Sequence, residues 1–307
     1  MNTQFAAEEL AFQAEVREFL QDYRDLDGFY GQGHKWPQVR ALFQAMAEKL
    51  AGPGLAGAVR RTRGRVPCTS SSCGTRWPIA RAARNPLAAR IVAQTLIRHG
   101  TPVRQAHWLP RIRAGEIHFS LCYSEPEAGS DLASLRLRAD RSATGTHYLL
   151  NGQKCWQSYA QDMDYLWVLA RSGTQESRGR GLSLFICDRH AAGVTVSALP
   201  TVDGDQLNAV YFDAVAVPVD QRVGAENGAW PLIGEALADD GISSFPGRVR
   251  RDLEEDGGLA QRQRAGRRPG RCGSGWRNSR CRCWRREMLG LKVLAAMAVA
   301  TPPLTRP

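Results

Sequence analysis

The sequence predicts a multidomain α+β protein: an N-terminal helical domain, a central antiparallel β-barrel or sandwich, and an incomplete C-terminal helical bundle. Apolar residues at helical spacing dominate the first part of the chain. Short stretches rich in β-branched and aromatic residues then follow one another, separated by Gly, Asn and Asp. A helical pattern returns and is soon interrupted. We therefore assign the three domains to residues 1–116, 117–222 and 223–307.

Four helices are predicted in the N-terminal domain. The first falls in residues 3–24, and the second carries apolar residues on one face, namely Val39, Leu42, Phe43, Met46 and Leu50. The third covers "PLAARIVAQTLIRHG" and ends at Gly100, a typical C-terminal cap. The fourth, in "TPVRQAHWLPRIRAGE", is expected to be short and broken at Pro110.

Five stretches of the central domain predict β-strands: "THYLLNG", "DYLWVLARSG", "GLSLFICDR", "GVTVSALPT" and "NAVYFDAVAVP". Their short spacing is typical of an antiparallel sheet. Asn151-Gly152 predicts a hairpin turn, because both residues tolerate the positive φ of that turn. In the third domain, "WPLIGEALADD" begins a helix and residues 286–300 predict another.

The positive charge is concentrated in two windows, residues 52–88 and 246–286. They carry net charges of +7 and +9, which leaves −5 of the total +11 for the rest of the chain. Both windows contain arginine but no lysine, and neither has apolar residues at regular helical or strand spacing. Together they hold five of the eight cysteines. We interpret them as frame-shifted or degraded coding sequence. The alternative is a pair of basic disordered arms that bind an acidic partner.

Two segments carry residues suited to binding chemistry. In "LCYSEPEAGSDLASL", residues 121–135, Pro126 and Gly129 predict a tight turn that presents Ser124, Ser130 and Asp131 beside backbone N–H donors. Such a loop can hold a phosphate or a polar ring edge, although a capped acidic turn has the same composition. In "NGQKCWQS", an extended strand would place an indole and a hydroxyl on one side, at Trp156 and Ser158. A tryptophan packed in the core is the alternative.

The two segments together resemble the acyl-CoA dehydrogenase family. The family pattern [TS]-E-P-x-A-G-S-D, then N-G-x-K-x-W-[IQ]-[TS] about twenty residues later, stands here as "SEPEAGSD" and "NGQKCWQS". A third stretch, "LNAVYFDAVAVPVDQRVGAENGAW", is similar to the end of that family's β-domain. The resemblance covers residues 1–50 and about 87–240, and it does not indicate which acyl group is the substrate.

The resemblance implies FAD as cofactor and six residues around it: Leu121, Tyr123, Ser124, Ser130, Trp156 and Ser158. Ser124 and nearby backbone groups would bond the polar edge of the flavin, and Ser158 would bond its N5 region. Ser130 would meet the FAD pyrophosphate or the CoA part of a bound thioester. Trp156 would cover the ring and exclude water.

The implied reaction is α,β-dehydrogenation of an acyl-CoA thioester, with an electron-transfer acceptor. It requires a carboxylate to remove the α-proton. The family's usual glutamate lies late in the C-terminal bundle, in a region this chain lacks, so Asp239 is the candidate base. We therefore expect impaired catalysis and weak or absent FAD binding. The resemblance also implies a homo- or hetero-oligomer with acyl-CoA dehydrogenase subunits. The alternative functions are a non-catalytic subunit of a hetero-oligomeric acyl-CoA dehydrogenase, and a basic nucleic-acid-associated protein.

Other classes are disfavoured by the sequence. No run of eighteen apolar residues predicts a membrane span, and the N-terminus lacks the apolar region of a secretory signal. We therefore expect a cytoplasmic protein of lipid metabolism with mostly reduced cysteines. The spacing of Cys272, Cys281 and Cys283 resembles a set of metal ligands, but no histidine lies near, so no metal is expected.

Overall fold

The structure is a computed structural model, and it describes these parts of the chain: residues 15, 18–19, 21–23, 36–51, 87–202 and 206–243. Nearly all of both arginine-rich windows lies outside the described residues, and so does the helix predicted at 286–300. The same holds for most of the first predicted helix, of which residues 15, 18 and 19 are helical.

Three helices precede the sheet: α1 (Trp36–Ala51), α2 (Leu87–His99) and α3 (Pro102–Arg113). The apolar face predicted for α1 is buried at Val39, Leu42, Phe43 and Met46, which confirms the helix. Helix α2 ends where Gly100 donates its backbone N–H to the carbonyl of Leu96, at 2.9 Å. A Cβ at this glycine would lie 2.5 Å from the same oxygen, so a larger residue would not fit.

Helix α3 is not broken at Pro110, contrary to the prediction. Pro110 lies inside the helix, and its carbonyl accepts the N–H of Ala114 at 2.9 Å. Proline removes one N–H donor, but this ring is exposed while Trp108 and Ile112 are buried on the opposite side. Packing of those two side chains holds the helix together across the proline.

The described residues form one eight-stranded sheet. Its strands are β1 (Phe119–Cys122), β2 (Arg138–Arg141), β3 (His147–Ser158), β4 (Tyr165–Arg171), β5 (Leu182–Asp188), β6 (Val194–Pro200), β7 (Gln206–Pro218) and β8 (Arg222–Val223). They follow the order β6-β7-β3-β2-β4-β5-β8, and β1 pairs with β4. The five predicted strands correspond to β3, β4, β5, β6 and β7.

The sheet is mixed, whereas the sequence predicted an antiparallel one. Strand β1 runs parallel to β4, from Phe119 opposite Tyr165 to Cys122 opposite Val168. Strand β2 also meets β4 in parallel, at Arg138 opposite Arg171. The long strand β3 reverses the chain between β2 and β4, so β1, β2 and β4 all run in one direction.

Asn151 and Gly152 do not form the predicted hairpin turn. Both lie inside β3, where the pairing with β7 shifts between Leu150 and Gly152. The positive φ of Gly152, 137°, allows this bulge, and the Asn151 side chain accepts the backbone N–H of Ala214 at 2.8 Å. The turn between β2 and β3 lies earlier, where Ser142 donates its N–H to the carbonyl of His147 at 2.9 Å.

The core of the sheet is a cluster of buried side chains from every strand except the short β8 and β6, with Tyr148 and Phe185 in edge contact at 4.9 Å. Strands β4 and β5 are buried almost throughout rather than at alternate positions. Helix α3 packs on the start of β4, where Trp108 lies edge-on to Tyr165, 4.8 Å away. Strand β4 pairs with both β1 and β2, the strands on either side of the segment that carries the first motif.

A fourth helix, α4 (Ala229–Ser243), follows β8. The chain divides into two compact units, residues 29–53 with 85–237, and residues 1–28 with 54–84 and 238–307. The first unit contains the sheet and α1 to α3. Among the described helices, none is both long and apolar enough to cross a lipid bilayer.

Candidate functional site

The segment 121–135 leaves the sheet at the end of β1 and leads into β2. Strand β1 pairs with the first half of β4 and β2 meets its last residue, so the segment bridges the gap between them. Glu125 and Ala128 exchange backbone hydrogen bonds of 3.0 and 3.1 Å. This confirms the tight turn around Pro126, and it leaves the residues on either side to be positioned by neighbouring strands.

The second half of β3 passes directly beside this segment. The backbone N–H of Cys155 donates to the carbonyl of Ser124 at 2.9 Å. The side-chain amide of Gln157 donates to the same carbonyl at 3.1 Å. The two motifs that the sequence predicted to act together are therefore joined by hydrogen bonds, with Ser124 opposite the residues that flank Trp156.

A buried ion pair also joins the two motifs. Lys154 Nζ lies 2.9 Å from Glu125 Oε1, and it also donates to the carbonyl of Tyr123 at 2.9 Å. The lysine side chain is 0% exposed and the glutamate side chain 8%. Burial lowers the pKa of Lys154, and the charge of Glu125 opposes that shift. The pair lies beneath the surface residues of the site and does not reach solvent.

Trp156 and Ser158 lie on the exposed side of β3, as predicted, but the strand is not regularly extended. Trp156 has φ of 64°, and pairing with β7 shifts between Lys154 and Gln157. The indole is 50% exposed, and Ser158 is exposed, while Gln157 between them is buried. The bulge turns Trp156 outward, and a large aromatic side chain that is half exposed on a rigid strand is suited to covering a flat ligand.

A hydrogen bond from β1 holds the backbone of Ser158. The hydroxyl of Ser120, which is buried, donates to the backbone carbonyl of Ser158 at 2.8 Å. The next residue, Tyr159, also has a positive φ, 60°. Two left-handed residues therefore flank the pair Gln157–Ser158, and each costs on the order of 1 kcal/mol of backbone strain that the surrounding contacts must offset.

The far end of the segment presents Ser130 and Asp131 at the surface. Ser130 is exposed, and Asp131 forms an ion pair with Arg178 at 2.5 Å. A Cβ placed on Gly129 would meet nothing within 4 Å, so the space beside Ser130 is open. This end of the segment can accept a polar ligand group without rearrangement.

A buried arginine supports that end. Arg171, at the end of β4, is 0% exposed and donates to four backbone carbonyls at 2.8 to 3.1 Å. The acceptors belong to two loops, and they are the carbonyls of Ala133, Leu135, Thr174 and Arg178. The loop with Asp131 and the loop with Arg178 are thus held against each other from below.

Leu121 lies near the end of β1 and Tyr123 directly follows that strand. Leu121 is partly buried in β1, opposite Trp167 of β4. Tyr123 is 7% exposed, and its hydroxyl accepts the indole N–H of Trp167 at 3.1 Å. Burial raises the pKa of Tyr123. Its side chain belongs to the core and its carbonyl accepts the Lys154 ammonium, so its place beside a flavin stays a prediction.

The candidate base, Asp239, lies in the last part of α4. Its side chain lies outside the described residues, and it belongs to the second compact unit, whereas the residues above belong to the first. Its role as base stays a prediction.

The sequence analysis missed four residues that organise the site: Ser120, Glu125, Lys154 and Arg171. Both members of the buried pair stand in the quoted motifs, but a glutamate in an acidic turn and a lysine that follows a glutamine look solvated. The apolar run before Arg171 was the available signal, because a charge at the end of a fully buried strand requires partners.

The exposed groups of the site suit a flavin. Trp156 offers an uncovered indole face, and three hydroxyls have no hydrogen-bond partner among the described residues, those of Ser124, Ser130 and Ser158. The backbone N–H of Ser124 likewise has no acceptor within the described part of the chain. A flat ring with a polar edge, attached to a charged phosphate group, would use all of these groups.

Comparisons with known proteins identify the family. The family model "Acyl-CoA dehydrogenase, middle domain" matches residues 120–215, which contain both motifs. Over 305 residues the chain is 30% identical to acyl-CoA dehydrogenase IpdE1 of Mycobacterium tuberculosis, an alignment that covers 94% of this chain and 76% of that relative. The chain belongs to the acyl-CoA dehydrogenase family. The resemblance drawn from the motifs is therefore confirmed, and members of this family are generally FAD-binding oxidoreductases.

Other acyl-CoA dehydrogenases match part of the chain more closely. FadE29 of Mycobacterium tuberculosis is 40% identical over 171 residues, and FadE26 of the same organism is 42% identical over 154 residues. These alignments cover 54% and 49% of this chain. The chain spans less than half the length of these two relatives, 44% and 38%.

Solved structures of acyl-CoA dehydrogenases share the fold. The structure described as "Tcur3481-Tcur3483 steroid ACAD" has a TM-score of 0.82 and 27% identity, covering 98% of this chain and 79% of that one. The ChsE4-ChsE5 complex from Mycobacterium tuberculosis has a TM-score of 0.76 and 26% identity, covering 97% and 78%. Both descriptions name two proteins, and the second describes them as a complex.

Proposed function

We propose that the chain binds FAD and takes part in the α,β-dehydrogenation of an acyl-CoA thioester. The observation that supports this most directly is the half-exposed indole of Trp156 beside the exposed Ser158, on a strand hydrogen-bonded to Ser124. Such a surface offers an apolar cover and hydroxyl groups to one flat ligand. Membership of the acyl-CoA dehydrogenase family supplies the reaction class.

Bound FAD would supply the two-electron acceptor for the hydride that leaves the β-carbon. The hydroxyls of Ser124 and Ser158 would donate hydrogen bonds to the polar edge of the ring, which favours its more negative, reduced state. Trp156 would cover the ring and keep water out. Ser130, beside the open space at Gly129, would bond a phosphate oxygen of FAD or of the thioester's CoA part.

The α-proton of the thioester requires a carboxylate base, and we propose Asp239 for this role. A carboxylate accepts such a proton efficiently only if it is desolvated and held within hydrogen-bond reach. Aspartate is one methylene shorter than the family's usual glutamate, so we propose that catalysis is impaired. The reaction also releases two electrons, and the proposal therefore includes an electron-transfer acceptor.

We propose as a second candidate that the chain acts as one subunit of a hetero-oligomeric acyl-CoA dehydrogenase. The support is that both solved structures above carry the names of two proteins, and one of them is described as a complex. A partner would complete the FAD site and supply the catalytic base. One of these structures is described as a steroid acyl-CoA dehydrogenase, so a steroid acyl-CoA is the substrate class we propose to test first.

The experiment is expression of the chain alone and together with a family-like protein from a neighbouring gene. We expect little or no flavin absorbance from the chain alone and a stoichiometric flavin band from the co-expressed complex. Adding a steroid acyl-CoA should bleach that band more than a straight-chain acyl-CoA does. A full flavin band and bleaching in the chain alone would show that it is a complete enzyme, and no flavin in either preparation would refute the proposed cofactor.

A further inference from the structure

The buried pair Glu125–Lys154 is the least expected feature of the described residues. A buried ion pair contributes little net stability, because removing both charges from water costs about as much as their attraction returns. Two apolar side chains of similar size would therefore fold as well. A buried charged pair inside two ligand-facing motifs requires another explanation, which its hydrogen bonds provide.

The pair is part of a continuous set of bonds between the two motifs. Lys154 Nζ bonds the carbonyl of Tyr123 and the carboxylate of Glu125, both at 2.9 Å. The residue after it, Cys155, bonds the carbonyl of Ser124 at 2.9 Å. Three consecutive residues, 123 to 125, are thereby held by two consecutive residues of β3, and the next residue of β3 is Trp156.

The same carboxylate also fixes the start of β2. Glu125 accepts the backbone N–H of Arg136 at 2.7 Å and that of Leu137 at 2.9 Å. Its two oxygens therefore accept from three donors, one on β3 and two on the residues that lead into β2. A change at this carboxylate would release both ends of the segment that contains Ser124 and Ser130.

We infer that Glu125 and Lys154 are positioning residues, which set the placement of Ser124 relative to Trp156 and so the affinity for a ligand between them. The inference rests on the proposed function, because the ligand meant is FAD. Lys154 is fully buried and Glu125 nearly so, and both therefore act through Ser124 and Trp156 rather than by contact with FAD. Directed hydrogen bonds fix an angle and a distance, which apolar packing alone fixes less tightly.

The test uses three variants: Lys154→Met, Glu125→Gln, and the double variant with both changes. Each single variant leaves a buried charge without its counter-charge and should be hard to fold. The double variant removes both charges and leaves only neutral groups such as the Tyr123 carbonyl without a partner, so we expect it to fold. We expect its dissociation constant for FAD, measured by titration of the purified chain or of the co-expressed complex, to rise on the order of tenfold, the loss typical of a charged hydrogen bond.

A second readout needs no FAD. Hydrogen exchange measured by mass spectrometry reports the protection of the amides in residues 121–137 and 151–160. In the double variant we expect faster exchange in both stretches, because the amides of Cys155 and Leu137 lose the alignment that the pair gives them. Exchange in β5, which the pair does not touch, should stay unchanged. A merely stabilising role would alter exchange throughout the sheet instead.

A matched control lies outside both motifs. Arg111 and Glu116 form an ion pair of 3.9 Å whose side chains are 37% and 57% exposed. The double variant Arg111→Met/Glu116→Gln removes one charge of each sign from the surface. We expect it to bind FAD and exchange amide hydrogens as the unmodified chain does.

The outcomes separate the inference from the proposed function. Weaker FAD binding together with faster exchange in both stretches supports the inference. Unchanged affinity, unchanged exchange, or failure of the double variant to fold would each overturn it. If the unmodified chain and its complex bind no FAD, the proposed function fails, and the exchange measurement alone then decides whether the pair positions the two motifs.

Discussion

The ring of Trp36 lies nearly parallel to that of Tyr159, with centroids 6.1 Å apart and an angle of 15° between the planes. Trp36 is the first residue of α1 and is 6% exposed, whereas Tyr159 directly follows Ser158 and has a positive φ. The first helix therefore packs on the strained residue beside the candidate site. A helix far from the two motifs in sequence thus helps to fix the end of β3.

Trp36→Ala should destabilise the chain by about 3 kcal/mol or more, the usual cost of removing a buried tryptophan. The indole also lies edge-on to His118, at 5.2 Å, so the change opens space on two sides. Chemical denaturation followed by circular dichroism measures the loss. Val103→Ala, at a side chain that is 79% exposed, is the control and should change stability by less than about 0.5 kcal/mol. An equally small effect of Trp36→Ala would mean that the stack contributes nothing.

Trp156→Ala should weaken FAD binding and leave stability nearly unchanged, because this indole is half exposed. We expect a change in stability below about 0.5 kcal/mol and, if the proposed cofactor is right, at least tenfold weaker FAD binding, since a stacked ring contributes on the order of 1.5 kcal/mol. The measurements are thermal unfolding without FAD and titration with FAD. Tyr211→Ala on β7, where the side chain is 43% exposed, is the matched control. Equal FAD affinity of both variants would exclude Trp156 as the cover of the ring.

His118 should make the chain less stable in mild acid. Burial is the main cause that lowers its pKa to about 4, and the charge of Arg40 lowers it further while Asp164 opposes the shift. Between that value and the ordinary pKa of about 6.5, the unfolded chain binds a proton that the folded chain does not. Stability should therefore fall by roughly 3 kcal/mol as the pH falls from 6.5 to 4.

The measurement for His118 is the free energy of unfolding at a series of pH values between 4 and 7. His118→Gln should flatten the slope across this range, because the variant has no group with a shifted pKa at this position. His107→Gln, at an exposed position of α3, should leave the slope as it is. A slope that survives in His118→Gln would assign the acid sensitivity to other groups.

The local elements could be predicted from the sequence, whereas their pairing could not. The apolar face of α1 and the five strands follow from patterns within ten to twenty residues. The parallel contact between β1 and β4 joins residues more than forty positions apart, so no local pattern indicates it. Asn151-Gly152 has the composition of a hairpin turn, but its pairing with β7 made it a bulge instead.

The candidate site likewise has residues that the sequence predicts and residues that it does not. Ser124, Trp156 and Ser158 could be named from the motifs, and the structure brings their segments together. The buried partners could not be named, because burial depends on the fold and not on residue type. Lys154 is the clearest example, since its ammonium is fully buried and bonds Glu125.

Arg171 should be irreplaceable even by lysine. Its guanidinium donates to the carbonyls of two loops, and a lysine ammonium cannot reach acceptors in that forked arrangement. Arg171→Lys and Arg171→Met should each cost about 3 kcal/mol of stability, because each leaves buried carbonyls without donors. Arg180→Lys and Arg180→Met, at an exposed position of the neighbouring loop, are the controls and should stay within about 0.5 kcal/mol. Chemical denaturation measures all four variants. Rescue by lysine would show that the positive charge matters there and the fork does not.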